Sequence, residues 1–218
     1  KNWADSLPDR PDWQYVLAWD FGASKSKPTD AYAVGAYSFT TPEAYIVRSQ
    51  SFVNIPLQGI ADTTKALQDE FGVFVEIGGD QGGHGQKFLD EMQSRYLIPM
   101  VGVRKADKLG HRRLMRGDLE RGTIKVVEPG NRTLLSEMGS LSWNDAGTDC
   151  EKNAADHLTD ATLYAWRAMK HYLATEPEPV PQRGTAEHAN WLMEQKNLAE
   201  DERSEAEERT PWYETSPY

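Results

Sequence analysis

The spacing of apolar and polar positions changes several times along the chain. Residues 14–22, QYVLAWDFG, form an almost unbroken apolar run closed by Asp20 and a glycine, which predicts a buried strand. A polar turn, SKSKPTD (24–30), separates it from AYAVGAYSF (31–39), and Thr41-Pro42 separates that run from EAYIVRSQSF (43–52). Both later runs alternate well enough for strands, so the three form an antiparallel meander. Over 56–72, Leu57, Ile60, Ala61, Thr64, Leu67 and Phe71 share one face of a helix that opens with Pro and closes with Gly.

Helix and strand alternate from there on. VFVEIGGD (73–80) predicts a fourth strand, again ending on an aspartate. A helix around 84–96 leads to a short fifth strand, PMVGV (99–103). Residues 107–121 read as helix with Gly122 as the stop, TIKVV (123–127) as strand, EPGN as a turn, and 131–141 as helix. The last helix covers 153–173, with Ala154, Leu158, Ala161, Thr162, Ala165 and Met169 at core-facing spacing. Asp156, His157 and Asp160 lie just off that stripe. The order of elements gives an α/β class: a mixed sheet whose first three strands are antiparallel, with helices on its faces. Residues 1–13 read as a lead-in, 14–175 as the folded domain, and 176–218, beginning EPEPVP, as an acidic extension outside the core.

Composition narrows the class. A chain of 218 residues with 39% hydrophobic and 10% aromatic side chains can fill one core. No apolar run approaches the roughly 18 residues of a membrane span, and no signal-peptide pattern opens the chain. The first residue is Lys1, which suggests a piece of a longer protein. The single cysteine, Cys150, excludes an intramolecular disulfide and a multi-cysteine zinc cluster, and fits a reducing compartment.

The net charge of −10 is unevenly spread. Residues 176–218 hold 11 acidic and 4 basic side chains, and the body before them is close to neutral. Within that body, 104–125 carries eight basic residues against three acidic ones, including Arg104, Lys105, Lys108, Arg112, Arg113 and Arg116. Such a segment suits a phosphate backbone, and it equally suits a solvated helix face.

The candidate chemistry rests on three acids. Asp20 and Asp80 end the first and fourth strands, and Asp160 lies on the closing helix. If those strands are parallel neighbours, their ends meet where open α/β sheets place their sites, and the final helix can add Asp160 by packing across that edge. An aspartate after an apolar run also serves as a strand terminator or helix cap, so the ordering of all three carries the argument. Clustered carboxylates repel unless a cation neutralises them, and hard oxygen donors select Mg²⁺ or Mn²⁺. His157 shares a helix side with Asp160, as a further ligand or as a group that orients it. Asp156 is an outer ligand or a partner of the helix dipole.

The order AWDFG, TDAYAVGAYSF, EIGGDQGG, RKADKLGHRRLMRGDLERGTIKV and DHLTDATLYAW resembles the nuclease domain of the large terminase subunit of tailed bacteriophages. The resemblance covers about 14–170. It implies an RNase H-like fold with strand order 3-2-1-4-5, and a two-metal endodeoxyribonuclease that cuts concatemeric double-stranded viral DNA. Asp20, Asp80 and Asp160 match the acids that hold two divalent ions, Mg²⁺ or Mn²⁺, with Asp20 bridging both. His157 matches a position that is a ligand in some members. Asp30 falls where related domains carry an acid behind the metal ligands, and Lys105 and Lys108 fall in a segment able to approach DNA. Implied partners are double-stranded DNA, the terminase ATPase domain, the portal protein and the small terminase subunit, in the host cytoplasm and away from membranes. No G-x-x-x-x-G-K-[ST] phosphate loop is present, since GGHGQKF (82–88) has the wrong spacing, so the motor is expected to lie outside this chain. Two other readings stay open: a different RNase H-like nuclease, such as a junction resolvase or ribonuclease H, and a non-catalytic DNA-binding assembly module.

Overall fold

The chain builds its sheet around the first long strand, Gln14–Asp20 (β2), in which every residue from Val16 onward is buried. The structure, a computed structural model, describes residues 2–22, 28–81, 85–103, 107–141 and 155–173. Before β2 comes a two-residue strand, Trp3–Ala4 (β1). After it come β3 (Thr29–Tyr37), β4 (Ala44–Val53), α1 (Leu57–Phe71), β5 (Glu76–Asp80), α2 (Gly85–Tyr96), β6 (Met100–Val103), α3 (Lys108–Arg121) and β7 (Ile124–Val127). A 3₁₀ turn at Glu128–Gly130 leads to α4 (Arg132–Ser140) and α5 (His157–Leu173). The chain divides into two units, Lys1–Ala174 and Thr175–Tyr218. The acidic extension falls in the second and lies outside the described residues.

The sheet order is β1-β7-β4-β3-β2-β5-β6. Its last five strands, β4-β3-β2-β5-β6, reproduce the 3-2-1-4-5 order that the resemblance implies. The β2–β3 and β3–β4 pairs are antiparallel, and β2–β5 and β5–β6 are parallel. Two strands extend that order. β7 runs parallel to β4, and β1, inside the expected lead-in, pairs with β7 through Trp3↔Val126 and Ala4↔Val127. Together they cover an edge of β4 that would otherwise present unpaired backbone groups.

Alternation along the strands divides the core into two layers. Leu17 and Trp19 of β2, with Tyr32 and Val34 of β3, pack with residues of α1 and α2 such as Ile60, Leu67, Leu89 and Met92. Val16 and Ala18, with Ala31 and Ala33, pack on the other face with α5, α3 and α4. The small residues of β2 and β3 let α5 approach closely. A β-carbon at Gly35 would lie 2.5 Å from the Met169 sulfur.

The closing helix differs from expectation in three ways. It starts at His157, with Ala155 and Asp156 non-helical and residues 153 and 154 outside the described residues. It lies on the face of the sheet, over β2, β3 and β4, and reaches the strand ends with its first turn alone. It is buried from Leu158 through Trp166 and not along one stripe, because α3 and α4 pack on the sides that the sheet leaves open.

Candidate active site

β2 and β5 run parallel, and their register ends at Trp19↔Gly79, one residue short of Asp20 and Asp80. Both aspartates therefore finish neighbouring strands at the same end of the sheet. Asp20 continues the row of Val16 and Ala18, which faces α5. Asp80 alternates with Gly79, whose β-carbon position abuts Leu89 on the opposite face, so it also turns towards α5. The helix behind the second acid is tightly set: a β-carbon at Gly85, the first residue of α2, would lie 1.9 Å from the Asp80 carbonyl oxygen.

The first turn of α5 closes over these strand ends. His157 Nδ1 lies 2.8 Å from Asp20 Oδ2. Asp20, Asp80 and Asp160 are 5%, 3% and 6% exposed, so three carboxylates share one poorly solvated site. Burial pushes the Asp20 carboxyl up to about 6, the negative charges of Asp160 and Asp80 push the same way, and the bond to His157 opposes them. That bond in turn raises the imidazole pKa. Tyr164, one turn beyond Asp160, feels the same cluster: burial first, then the charges of Asp160, Asp20 and Asp80, oppose its ionisation. Its buried hydroxyl has no hydrogen-bond partner among the described residues. It lines a cavity of about 250 Å³ with Gly102, Val103 and Arg167.

Asp160 is held by two cations from α3. Lys108 Nζ lies 2.5 Å from Oδ2, and Arg112 Nη2 lies 2.6 Å from Oδ1. Arg112 also reaches Asp156 Oδ2 at 2.8 Å. This places Asp156 as the carboxylate that fixes Arg112 at the start of α5. It also revises the expectation for Arg112 as a DNA contact: the residue is 6% exposed and committed to two carboxylates, so it does not present its charge to a phosphate backbone. Of the other basic candidates, Arg113 is exposed, and Arg116 is exposed and paired with Glu120. Arg104 and Lys105 lie outside the described residues.

Asp30 lies on β3, next to the Ala31 that pairs with Asp20. It is buried, and its Oδ1 accepts the Gly22 N–H at 3.2 Å, which secures the turn that follows Asp20. Burial raises its pKa. Glu137 of α4 was not among the sequence candidates. Its carboxylate accepts the Thr159 N–H at 2.7 Å, the Thr159 hydroxyl at 2.8 Å and the Leu158 N–H at 3.4 Å. Those N–H groups belong to the first turn of α5 and have no acceptor inside the helix. Glu137 thus caps, from another helix, the turn that carries His157 and Asp160. The sequence offers one weak signal for it, a lone acid in an otherwise uncharged stretch, TLLSEMGSL.

Three buried carboxylates match a divalent cation in donor type, and a bound cation would offset the burial, and the lesser charge repulsion from Asp160 and Asp80, that raise the Asp20 pKa. Among the described residues, however, no group of three or more His, Cys, Asp or Glu is drawn close enough to hold an ion. The residues fit the ion in donor type, and both Asp160 oxygens face protein cations, Lys108 and Arg112.

Fold and site can be set beside known proteins. The architecture is the RNase H-like fold: a mixed sheet with helices on both faces. More particularly, it is the fold of large terminase nuclease domains. The chain is similar to the nuclease domain of the large terminase of bacteriophage SPP1 with bound Mn, at TM-score 0.55 and 17% identity over 71% of this chain and 86% of that one. It is similar to the large terminase nuclease of thermophilic phage G20c with bound magnesium, at TM-score 0.56 and 18% identity over 72% and 82%. It also matches the large terminase of a second thermophilic bacteriophage, at TM-score 0.62 and 15% identity over 75% of this chain, but it spans only 40% of that protein. No family profile and no curated protein sequence matches the chain. Among the described residues no helix is long and apolar enough to cross a membrane.

Proposed function

We propose that this chain is the metal-dependent endonuclease domain of a viral DNA-packaging terminase. The observation that supports the reading is that Asp20 and Asp80 end neighbouring parallel strands and Asp20 feels the charges of both Asp160 and Asp80, all three being buried. Two divalent ions, when bound, supply the Lewis acidity that phosphodiester hydrolysis requires. Asp20, Asp80 and Asp160 would be the carboxylates that hold them. His157 orients the Asp20 carboxylate through its 2.8 Å contact. Asp30 fixes the turn after Asp20, and Glu137 fixes the turn that carries Asp160. Exposed Arg113, with Arg104 and Lys105, supplies phosphate contacts that position double-stranded DNA without reading its sequence.

On this reading the substrate is concatemeric viral DNA cut in the host cytoplasm. The portal, the small terminase subunit and an ATPase domain act alongside. The deciding experiment incubates the protein with supercoiled plasmid and Mn²⁺, with and without chelator. Nicking that needs the divalent ion and is lost in Asp80→Ala supports the proposal. Cleavage that survives chelation, or that Asp80→Ala leaves intact, overturns it. An RNA–DNA hybrid and a four-way junction, run in parallel, separate this activity from that of a ribonuclease H or a resolvase. The engagement of Asp160 by two cations favours one competing reading, a non-catalytic DNA-binding module. Plasmid binding without cleavage in either arm would select it.

A further inference from the structure

Lys108 and Arg112 are one helical turn apart on α3 and reach the same carboxylate, yet they are held very differently. Arg112 is enclosed, with a side chain 6% exposed, and bridges Asp160 and Asp156 at 2.6 and 2.8 Å. Removing a guanidinium from such a pocket leaves buried carboxylates uncompensated. Lys108 is one-third exposed and, among the described residues, closely engages Asp160 alone, with Asp156 Oδ2 a looser ion-pair partner at 3.9 Å. Its ammonium is compact and strongly hydrated, on a flexible stem, and can move into water at small cost. A divalent ion approaching Asp160 meets a carboxylate with a protein cation on each oxygen, so it competes with those cations for the site. Only Oδ2 is held by a group able to give way.

We infer that Lys108 is an exchangeable occupant of the cation site. It neutralises Asp160 until a divalent ion takes Oδ2, and it then stands released at the rim as a positive charge for the incoming phosphate. Arg112 stays in place and keeps Asp160 aimed throughout. The inference rests on the proposed function, because it needs Asp160 to be a metal ligand.

The test is Mn²⁺ binding to the intact chain by titration calorimetry, comparing wild type with Lys108→Met, Lys108→Gln and Asp20→Asn. Removing the competing ammonium tightens Mn²⁺ binding in Lys108→Met about fivefold. Lys108→Gln, which retains a hydrogen-bond donor without charge, changes in the same direction and guards against a folding defect in the first variant. A second readout is lysine acetylation followed by mass spectrometry. Adding Mn²⁺ to wild type raises labelling of Lys108 relative to the exposed Lys65 on α1. Unchanged or weaker Mn²⁺ affinity in both variants, or Lys108 labelling that ignores Mn²⁺, overturns the inference. Wild type that binds no Mn²⁺, or Asp20→Asn that binds it as wild type does, overturns the inference and the proposed function together. Binding that is lost in Asp20→Asn but indifferent to position 108 overturns the inference alone.

Discussion

His157 Nδ1 meets Asp20 Oδ2 at 2.8 Å, joining the first turn of α5 to the last residue of β2 across 137 positions of sequence. Through this contact the imidazole acts on a carboxylate in the middle of the site, and not on Asp160, its neighbour on the helix. His157→Ala should lower Mn²⁺-supported plasmid nicking by about 10- to 100-fold, the usual loss when a group supporting a metal ligand is removed. Nicking equal to wild type would remove His157 from the site.

The raised Asp20 pKa makes a prediction about stability without metal. A carboxyl near 3.8 when unfolded and about 6 when folded keeps its proton longer in the native state. The native state therefore loses stability as pH rises from about 4 to about 6, by roughly 3 kcal/mol at about 1.4 kcal/mol per unit. Urea denaturation in chelator across that range should show wild type losing stability relative to Asp20→Asn, which carries no such proton. Parallel pH profiles would contradict the burial of this carboxyl.

Glu137 satisfies two N–H groups and one hydroxyl at the start of α5. Glu137→Ala should cost about 2 kcal/mol of unfolding free energy, at the upper end for a lost cap, because the site is half-buried and the acceptor is charged. Glu137→Gln keeps one acceptor oxygen and should recover part of the loss. Chemical denaturation reads both.

Arg112→Met and Lys108→Met should separate widely in stability. The first strands two carboxylates against a buried gap and should cost about 3 kcal/mol. The second removes a partly solvated ion pair and should cost less than about 1 kcal/mol. Similar losses would contradict the division of roles between the two cations.

Tyr164→Phe removes a buried hydroxyl that has no partner among the described residues. Metal-free protein carrying this change should be as stable as wild type or more so by about 1 kcal/mol. A clear drop in melting temperature would show that the hydroxyl is engaged.

Much of this was legible in the sequence because the strands carry their own period. The apolar runs ending in Asp20 and Asp80 located both acids, and α1 emerged within a residue at each end from its Pro and Gly punctuation. The two-residue β1 was not legible. Its pairing is with Val126 and Val127, and nothing in a lead-in rich in Asp and Pro signals a remote partner. The single stripe expected on α5 failed for a similar reason. Helical spacing identifies one packed face, whereas Thr159, Leu163 and Trp166 are buried by helices arriving from other parts of the chain. Basic composition could not separate Arg112 from Arg113. Adjacent positions on a helix point about 100° apart, and only the fold shows which one turns inward to Asp160.

Gly85 bears on how mutational scans of this protein will read. Because a β-carbon there would fall on the Asp80 carbonyl oxygen, even an alanine must lever α2 away or displace the backbone of β5 at its last residue. A scan scored by activity would then record position 85 as indispensable chemistry, though it contributes no atom to it. Telling such a bystander from a true participant takes a thermal shift measured beside each rate.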